Sequence, residues 1–147
     1  MKLVVQRVTN ASVEVEGKIV GEIDEGLMVL VGFGVDDTQK EADYLAKKLI
    51  KLRIFQDENG RMNKSVKDIG GKLLLVPQFT LYAHTKKNRP SFHKALAPDK
   101  ATELFDYFKD KCSEYVDVET GVFGAFMKVN LLNNGPVTIL LEKEFEN

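Results

Sequence analysis

The chain has 147 residues, 44% of them hydrophobic, and its 21 basic and 22 acidic residues give a formal net charge of −1. This length suits one domain with one core, which we assign to residues 1–147, and the near-neutral charge excludes recruitment of nucleic acid by an overall field. No apolar run approaches the roughly 20 residues that span a bilayer. Charges also interrupt the first residues too early for a signal peptide. We therefore expect a cytoplasmic protein that does not contact membranes.

Cysteine and histidine usage argues against a bound metal. Cys112 is the only cysteine in the sequence, so a disulfide within the chain and a cysteine-based metal cluster are excluded. Its place in a helical apolar stripe indicates core packing rather than a reactive thiol. His84 and His93 are nine residues apart in a predicted loop and lack metal-ligand spacing. We expect no metal and no other cofactor.

The first third of the chain has the pattern of β-strands. Residues 3–8 are rich in β-forming side chains, residues 12–16 alternate, and Gly17-Lys18 then turns the chain into residues 19–23 as a hairpin. Residues 27–31 are apolar throughout, which is typical of a strand buried on both faces.

The sequence next predicts two helices. Thr38 and Glu41 fit a capping box, in which each side chain accepts a hydrogen bond from the other residue's backbone N–H. Apolar residues then recur at helical spacing at Ala42, Leu45, Ala46, Leu49 and Ile50. Lys47, Lys48 and Lys51 lie largely on the other side and indicate a solvated face. A second helix begins at Pro98, a suitable first helical residue, and its apolar stripe contains Ala101, Leu104, Phe105, Phe108 and Cys112.

The remaining apolar runs predict strands. Residues 73–76 and 79–82 are separated by Pro77, which favours an edge strand or a bulge over a central strand. Two final strands are predicted to flank a hairpin-type turn at residues 133–136, where Asn-Gly and Gly-Pro pairs occur. This order of elements predicts an α+β fold, with a mainly antiparallel, barrel-like sheet and two main helices packed on one face.

Residue patterns alone leave the chemistry open. No dinucleotide fingerprint, phosphate-binding loop or nucleophile elbow is present in the sequence. Gln78 and Thr80 place polar groups on one face of a predicted strand, for which an ordinary edge strand is the simpler interpretation. Residues 82–97 hold four cations and no acid, a pattern that fits either a phosphate-binding loop or a solvated one.

Several motifs, in their joint order and spacing, resemble the D-aminoacyl-tRNA deacylases over essentially the whole chain. The two signature motifs are Gln78-Phe79-Thr80-Leu81 and Asn134-Gly135-Pro136-Val137-Thr138. The others are Gln6-Arg7-Val8, Ala11-Ser12-Val13, Arg53-Ile54-Phe55, Gly60-Arg61-Met62-Asn63, Arg89-Pro90-Ser91-Phe92 and Asp106-Tyr107-Phe108. Pro77 departs from the family, which usually has serine there, so a role for that serine is not carried over.

The resemblance implies a homodimeric hydrolase that cleaves the ester of D-aminoacyl-tRNA, and of glycyl-tRNA, while rejecting L-aminoacyl-tRNA. It implies that Gly135 and a cis Pro136 of one subunit form a chirality gate in the pocket of the other. The residues that it assigns to the opposite, catalytic wall are Gln78, Phe79 and Thr80. Phe123 and Met127 match apolar pocket positions, with plain core packing as an equal alternative. With the resemblance, Lys86, Lys87 and Arg89 become candidates for contacts with tRNA phosphates.

Two other functions fit parts of the sequence. One is a relative of the same fold that edits a mischarged L-amino acid, with a trans bond before Pro136. The other is a catalytically silent RNA-binding module that uses the basic loop. An RNA-binding module would bind tRNA without cleaving the ester. An enzyme that edits an L-amino acid would cleave the ester but would not reject L substrates.

Overall fold

The computed structural model describes residues 1–146, so Asn147, the last residue assigned to the domain, lies outside it. In this part of the chain the strands are β1 (Lys2–Val15), β2 (Lys18–Ile23), β3 (Gly26–Gly32), β4 (Phe55–Gln56), β5 (Met62–Lys64), β6 (Lys72–Pro77), β7 (Val118–Thr120) and β8 (Lys128–Glu142). The helices are α1 (Gln39–Lys51), α2 (Pro98–Ser113) and a 3₁₀ helix (Phe79–Tyr82). The predicted α+β class with two main helices is confirmed. Within residues 1–146, no helix is both long and apolar enough to cross a membrane.

The main sheet is mixed and curls into a nearly closed barrel. Strand β1 pairs antiparallel with β2, β3 and β8, whereas β3 pairs parallel with β6 and β6 pairs parallel with β7. Each parallel pair is joined by a connection that contains a helix, as parallel strands require. The sheet is therefore mainly antiparallel, as predicted, with parallel pairs that the sequence pattern did not reveal.

Both helices begin where the sequence predicts. Thr38 accepts a hydrogen bond from the N–H of Lys40 at 3.2 Å, and its own N–H donates to Glu41 at 3.1 Å, which completes the capping box. Helix α2 begins at Pro98. The apolar stripes of both helices join one core cluster with alternate residues of β1 and β3. This packing confirms that the two helices cover one face of the sheet.

Cys112 lies in this core and is fully buried. Burial raises the pKa of its thiol to about 12, because the thiolate would lose its hydration. The other face of the sheet carries a second cluster of apolar side chains, which includes Met28 of β3 and Leu74 of β6. Strand β3 is therefore packed on both faces, as its continuous apolar run predicts.

The predicted terminal hairpin is wrong. Residues 128–142 form the single strand β8, which pairs with β1 on both sides of the Gly135-Pro136 bond. Gln6 is opposite Thr138 and Val8 is opposite Asn133, so β8 has a longer segment than β1 between these pairs. The extra residues form a bulge instead of a chain reversal. Asn-Gly and Gly-Pro pairs suit both structures, and only the partner strand distinguishes them.

The second wrong prediction concerns residues 79–82, which form the 3₁₀ helix and not a strand. Pro77 ends β6, and the N–H of Gln78 still donates to the carbonyl of Val31 at 2.8 Å before the chain turns. Strand β6 is not an edge, because it lies between β3 and β7. The proline is accommodated because it lies beyond Leu75, the last residue of β6 that is paired with β7.

Candidate active site

An apolar pocket of about 380 Å³ opens where β3, β6 and the start of α2 meet. Its walls include the aromatic side chains of Phe33, Phe79, Phe92 and Phe123. Among the lining residues of the described chain, Gln78 alone has a polar side chain, and none has a carboxylate, an imidazole, an amine or a thiol. No described side chain that lines this pocket can therefore act as a strong base.

The rim of the pocket is the short 3₁₀ helix. The Phe79 ring is 56% exposed and packs edge-on against Phe92, with ring centroids 5.0 Å apart. The first N–H groups of any helix lack an acceptor within the helix, so Phe79 and Thr80 have N–H groups that can serve a ligand. The Gln78 amide donates a hydrogen bond to the Thr80 hydroxyl. Gln78 and Phe79 therefore line the pocket, whereas Thr80 lies at its rim and orients Gln78.

The two residues predicted as the pocket wall have different environments. Phe123 lines the pocket and lies 6.2 Å from the Phe105 ring, measured between centroids. Met127 is not a lining residue and packs against the second core cluster. Its sulfur lies so close to Gly121 that a Cβ at that glycine would meet it at 2.6 Å. The pocket of a single chain thus contains Phe123 and not Met127.

Backbone hydrogen bonds join the segment around Phe33 to the segment before α2, and both segments line the pocket. The carbonyl of Phe33 accepts from Leu96 at 3.0 Å, and the N–H of Val35 donates to the Lys94 carbonyl at 2.9 Å. Asp37 then accepts from the N–H of Gly34 at 2.6 Å and pairs with the N-terminal ammonium at 2.7 Å. Burial raises the pKa of Asp37, while these two donors act in the opposite direction.

The gate segment, residues 133–137, lies outside this pocket. The Gly135-Pro136 peptide bond is cis, and both residues are exposed. Arg7, which is only 6% exposed, donates from Nε to the Asn134 carbonyl at 2.9 Å and from Nη1 to the Ile54 carbonyl at 2.7 Å. One guanidinium therefore ties the gate segment to the chain that follows α1.

The Asn133 side chain fixes the other end of the gate segment. It accepts from the N–H of Val137 at 2.8 Å and donates to the Val137 carbonyl at 3.3 Å. At Gly135, φ is +138°, and a Cβ would meet Arg7 Nη2 at 2.9 Å and the Val137 side chain at 2.8 Å. Glycine is thus required by both conformation and space. The roles of Arg7 and Asn133 were missed from the sequence, although Arg7 lies within one of the recognised motifs.

The basic loop adjoins the pocket. His84 and Ser91 exchange two backbone hydrogen bonds of 2.8 and 3.0 Å, which close a loop over residues 85–90. Lys86, Lys87 and Arg89 are exposed on this loop. The loop leads directly into Phe92 of the pocket wall. The structure therefore brings the predicted cations close to the pocket, but it places Gly135 and Pro136 outside the pocket of their own chain.

A nearly closed mixed sheet with two helices thus carries an apolar pocket rimmed by N–H groups, with a cationic loop beside it, an arrangement that suits a substrate with a polar carbonyl group and nearby phosphates. Comparison with known proteins identifies the family to which the chain belongs. The chain belongs to the D-Tyr-tRNA(Tyr) deacylase family, whose pattern it matches over residues 4–142. The resemblance inferred from the motifs is thereby confirmed. The protein is a hydrolase that cleaves the ester bond of D-aminoacyl-tRNA.

The solved structures that are similar to this one include two with different levels of sequence identity. A c-Myc DNA unwinding element binding protein is 42% identical, with a TM-score of 0.94, and the match covers 99% of this chain and 100% of that chain. A "probable eukaryotic D-amino acid tRNA deacylase" is 20% identical, with a TM-score of 0.81, over 95% of this chain and 97% of that one. At that identity the second likeness shows the fold alone.

Proposed function

We propose that this protein is a homodimeric, cytoplasmic editing enzyme that rejects L-aminoacyl-tRNA because Gly135 and Pro136 of one subunit enter the pocket of the other. The observation that carries this proposal is the anchoring of an exposed gate segment by the buried guanidinium of Arg7. A stiff, exposed segment that does not line its own pocket suits action on a neighbouring subunit. Leu132 and Leu140 of the same strand are 56% and 66% exposed and offer apolar surface for such an interface.

The gate discriminates by excluding volume at the substrate's α-carbon. Carbonyl groups of the gate segment hold the α-amino group, and the backbone occupies the space that an L side chain needs. A D side chain points away from the gate into open space, so its identity matters little. Glycine has no side chain to exclude, and glycyl-tRNA is therefore a second substrate.

Hydrolysis itself uses the pocket rim. N–H groups of Phe79 and Thr80 donate to the ester carbonyl as it gains negative charge. Water adds to the carbonyl carbon, and the bond from that carbon to the ribose oxygen breaks. The ribose oxygen takes up a proton, which releases the free amino acid and intact tRNA. Thr80, the Gln78 amide and the neighbouring ribose hydroxyl position the water, and no covalent intermediate forms.

The cations of the basic loop bind the tRNA near its acceptor end. Lys86, Lys87 and Arg89 contact phosphates, which carry no sequence information. Such contacts suit an editor that accepts many tRNAs. Because they are electrostatic, binding weakens as the salt concentration rises.

The first experiment measures initial rates of ester hydrolysis with D-Tyr-tRNA, L-Tyr-tRNA and Gly-tRNA. We expect rapid turnover of the D and glycyl substrates and a rate for the L substrate at least about 100-fold lower, as steric exclusion worth about 3 kcal/mol predicts. Equal rates for D and L, or no turnover of the D substrate, would contradict the proposal.

A complementation experiment tests action across subunits. A pocket variant, Phe79→Ala, keeps an intact gate, and a gate variant, Gly135→Ala, keeps an intact pocket. In a mixed dimer, one site combines the intact pocket with the intact gate of the partner. The gate variant alone should hydrolyse both D-Tyr-tRNA and L-Tyr-tRNA, and the pocket variant alone should be slow but selective. We expect the mixed dimer to keep about the average D rate of the two variants while its L rate falls well below their average. If the gate acts within its own chain, both rates stay at the average.

A further inference from the structure

A groove on the outer side of α1 is rich in cations. It has a volume of about 430 Å³ and is lined by Tyr44, Lys47, Lys48, Lys51, Leu52 and Arg53. Four of these six residues are cations and none is acidic, in a chain whose net charge is −1. We call this set the α1 groove.

Within the described residues, none of the four groove cations forms an ion pair. The ion pairs there are those of Met1 with Asp37 and of Lys64 with Glu58. Lysines in the last helical turn stabilise the helix dipole, which accounts for Lys48 and Lys51. It does not account for Lys47, which lies just before the last turn, or for Arg53, which lies beyond the end of the helix.

Arg53 is held in place for binding. It donates from Nε to the Asn63 carbonyl at 2.9 Å and from a terminal nitrogen to the Asn63 side chain. These bonds use part of the guanidinium's five donors and fix its orientation, so little side-chain entropy is lost when the remaining donors meet an anion. A planar guanidinium fixed in this way is suited to phosphate oxygens.

An aromatic cluster lies at the other end of the groove. The Tyr44 ring is 43% exposed and meets Phe145 edge-on at 6.0 Å between centroids. Lys143 Nζ lies 4.8 Å from the Tyr44 centroid and 4.7 Å from that of Phe145, which adds a fifth cation at this end. Cations interleaved with exposed aromatic rings favour a nucleic-acid strand over an isolated anion, because bases and sugars pack on rings while phosphates pair with cations.

The groove lies next to the gate segment. Arg53 immediately precedes Ile54, whose carbonyl shares the Arg7 guanidinium with Asn134 of the gate segment. If the gate enters the partner's pocket, the groove flanks the path along which RNA leaves that pocket.

We propose that the α1 groove binds backbone phosphates of the tRNA whose aminoacyl end lies in the partner's pocket, so that one tRNA is held by both subunits. This inference rests on the proposed function, since the trans action of the gate places the groove beside that RNA. The basic loop holds the RNA from the subunit that supplies the pocket, and the α1 groove holds it from the subunit that supplies the gate.

The test replaces three exposed groove lysines together, as Lys47→Gln, Lys48→Gln and Lys51→Gln. The matched control removes the same charge elsewhere, as Lys18→Gln, Lys72→Gln and Lys128→Gln, all exposed and outside both the groove and the pocket. Binding of deacylated tRNA is measured over a range of salt concentrations. We expect the groove variant to bind about 10-fold more weakly at about 0.1 M salt and to lose about two units of the log–log salt slope, and the control to change far less.

A second readout separates this inference from the proposed function. With D-Tyr-tRNA, the groove variant should lose kcat/KM about 10-fold while keeping kcat, as expected for lost binding contacts. With the D-tyrosyl ester of adenosine, which has no phosphate, variant and parent should have equal rates. Parental tRNA affinity and salt slope in the groove variant would overturn the inference, and so would an equal loss with the adenosine ester or a loss of the dimer. Failure of the proposed function would appear instead in the parent's rates with D and L substrates.

Discussion

The gate segment at residues 133–137 and the pocket rim at residues 78–82 are held in the fold by different kinds of contact. The gate segment is fixed by hydrogen bonds from Arg7 and Asn133, and the Arg7 guanidinium reaches parts of the chain 47 and 127 residues away. The rim is a short 3₁₀ helix held by backbone bonds and by an exposed aromatic contact.

This difference follows from what each region has to do in the proposed mechanism. A gate that tests the configuration of one carbon must keep its position to within a fraction of an ångström, and buried charged hydrogen bonds provide that stiffness. A pocket that accepts side chains and nucleoside parts needs apolar surface and a few N–H groups. Substitutions in the gate should therefore affect stability and discrimination together, whereas substitutions in the rim should affect turnover alone.

The largest effect is expected from Arg7→Met. It removes both donors and leaves the carbonyls of Ile54 and Asn134 unpaired, one of them in a buried bond. The free energy of unfolding should fall by about 3 kcal/mol, and the D-to-L rate ratio should approach one. Urea unfolding and tRNA hydrolysis measure the two effects. Arg61→Met, at an exposed position, is the control and should change stability by no more than about 0.5 kcal/mol.

Gly135→Ala is expected to rank next. The new Cβ meets Arg7 and Val137 below 3.0 Å, at a φ of +138° that L residues rarely adopt. We expect a loss of about 2 kcal/mol in unfolding free energy and poor rejection of L-Tyr-tRNA. Gly60→Ala is a useful comparison, because φ there is +76° with nothing within 4 Å. It should cost about 1 kcal/mol and leave the D-to-L ratio unchanged. Equal discrimination in the parent and Gly135→Ala would place the gate elsewhere.

Asn133 offers a graded test of the same region. Asn133→Ala removes the acceptor for the Val137 N–H and should lower the unfolding free energy by about 1.5 kcal/mol, with a smaller loss of discrimination than Gly135→Ala. Asn133→Asp keeps that acceptor and loses the donor to the Val137 carbonyl, so it should retain part of both properties. An alanine variant indistinguishable from the parent in urea unfolding would show that this cap contributes no stiffness.

The rim is expected to give the smallest effect on stability. Phe79→Ala removes a ring that is 56% exposed, so the unfolding free energy should change by less than about 1 kcal/mol. The kcat/KM for D-Tyr-tRNA should nevertheless fall about 10-fold, with the D-to-L ratio preserved. Tyr115→Ala, 40% exposed and outside the pocket, should leave kinetics unchanged. A loss of discrimination in Phe79→Ala would remove the distinction between rim and gate.

Local patterns in the sequence were sufficient for the helices and for the buried strand β3. The capping box of Thr38 and Glu41 and the start of α2 at Pro98 depend on residues close in sequence. The apolar run of β3 is a local pattern that records burial on both faces. The pattern also indicated core packing for Cys112. The family resemblance pointed to Gln78, Phe79, Thr80, Phe123 and Met127, of which the structure places Gln78, Phe79 and Phe123 in the lining of one pocket.

The tertiary structure decided what depends on pairing between distant segments. Residues 79–82 are strand-forming residues, but Pro77 ends β6. In the described structure the chain then turns into a 3₁₀ helix and does not pair with another strand. The run around Gly135 suits a hairpin, but both of its halves lie along β1, so it forms a bulge. In the sequence, Arg7 looks like an ordinary strand residue. Only the fold brings the carbonyls of Asn134 in β8 and of Ile54 in the segment after α1 to its guanidinium.

By itself, the sequence determined the helices, the central apolar strand, the α+β class and, through its motifs, the family. These features follow from the spacing of apolar residues and from short motifs, both of which involve residues close together in the sequence. The register of β8 on β1, the parallel pairs and the polar anchors of the gate segment were decided only in three dimensions. Each of them needs groups from distant parts of the chain to meet, and no local pattern records which groups those are.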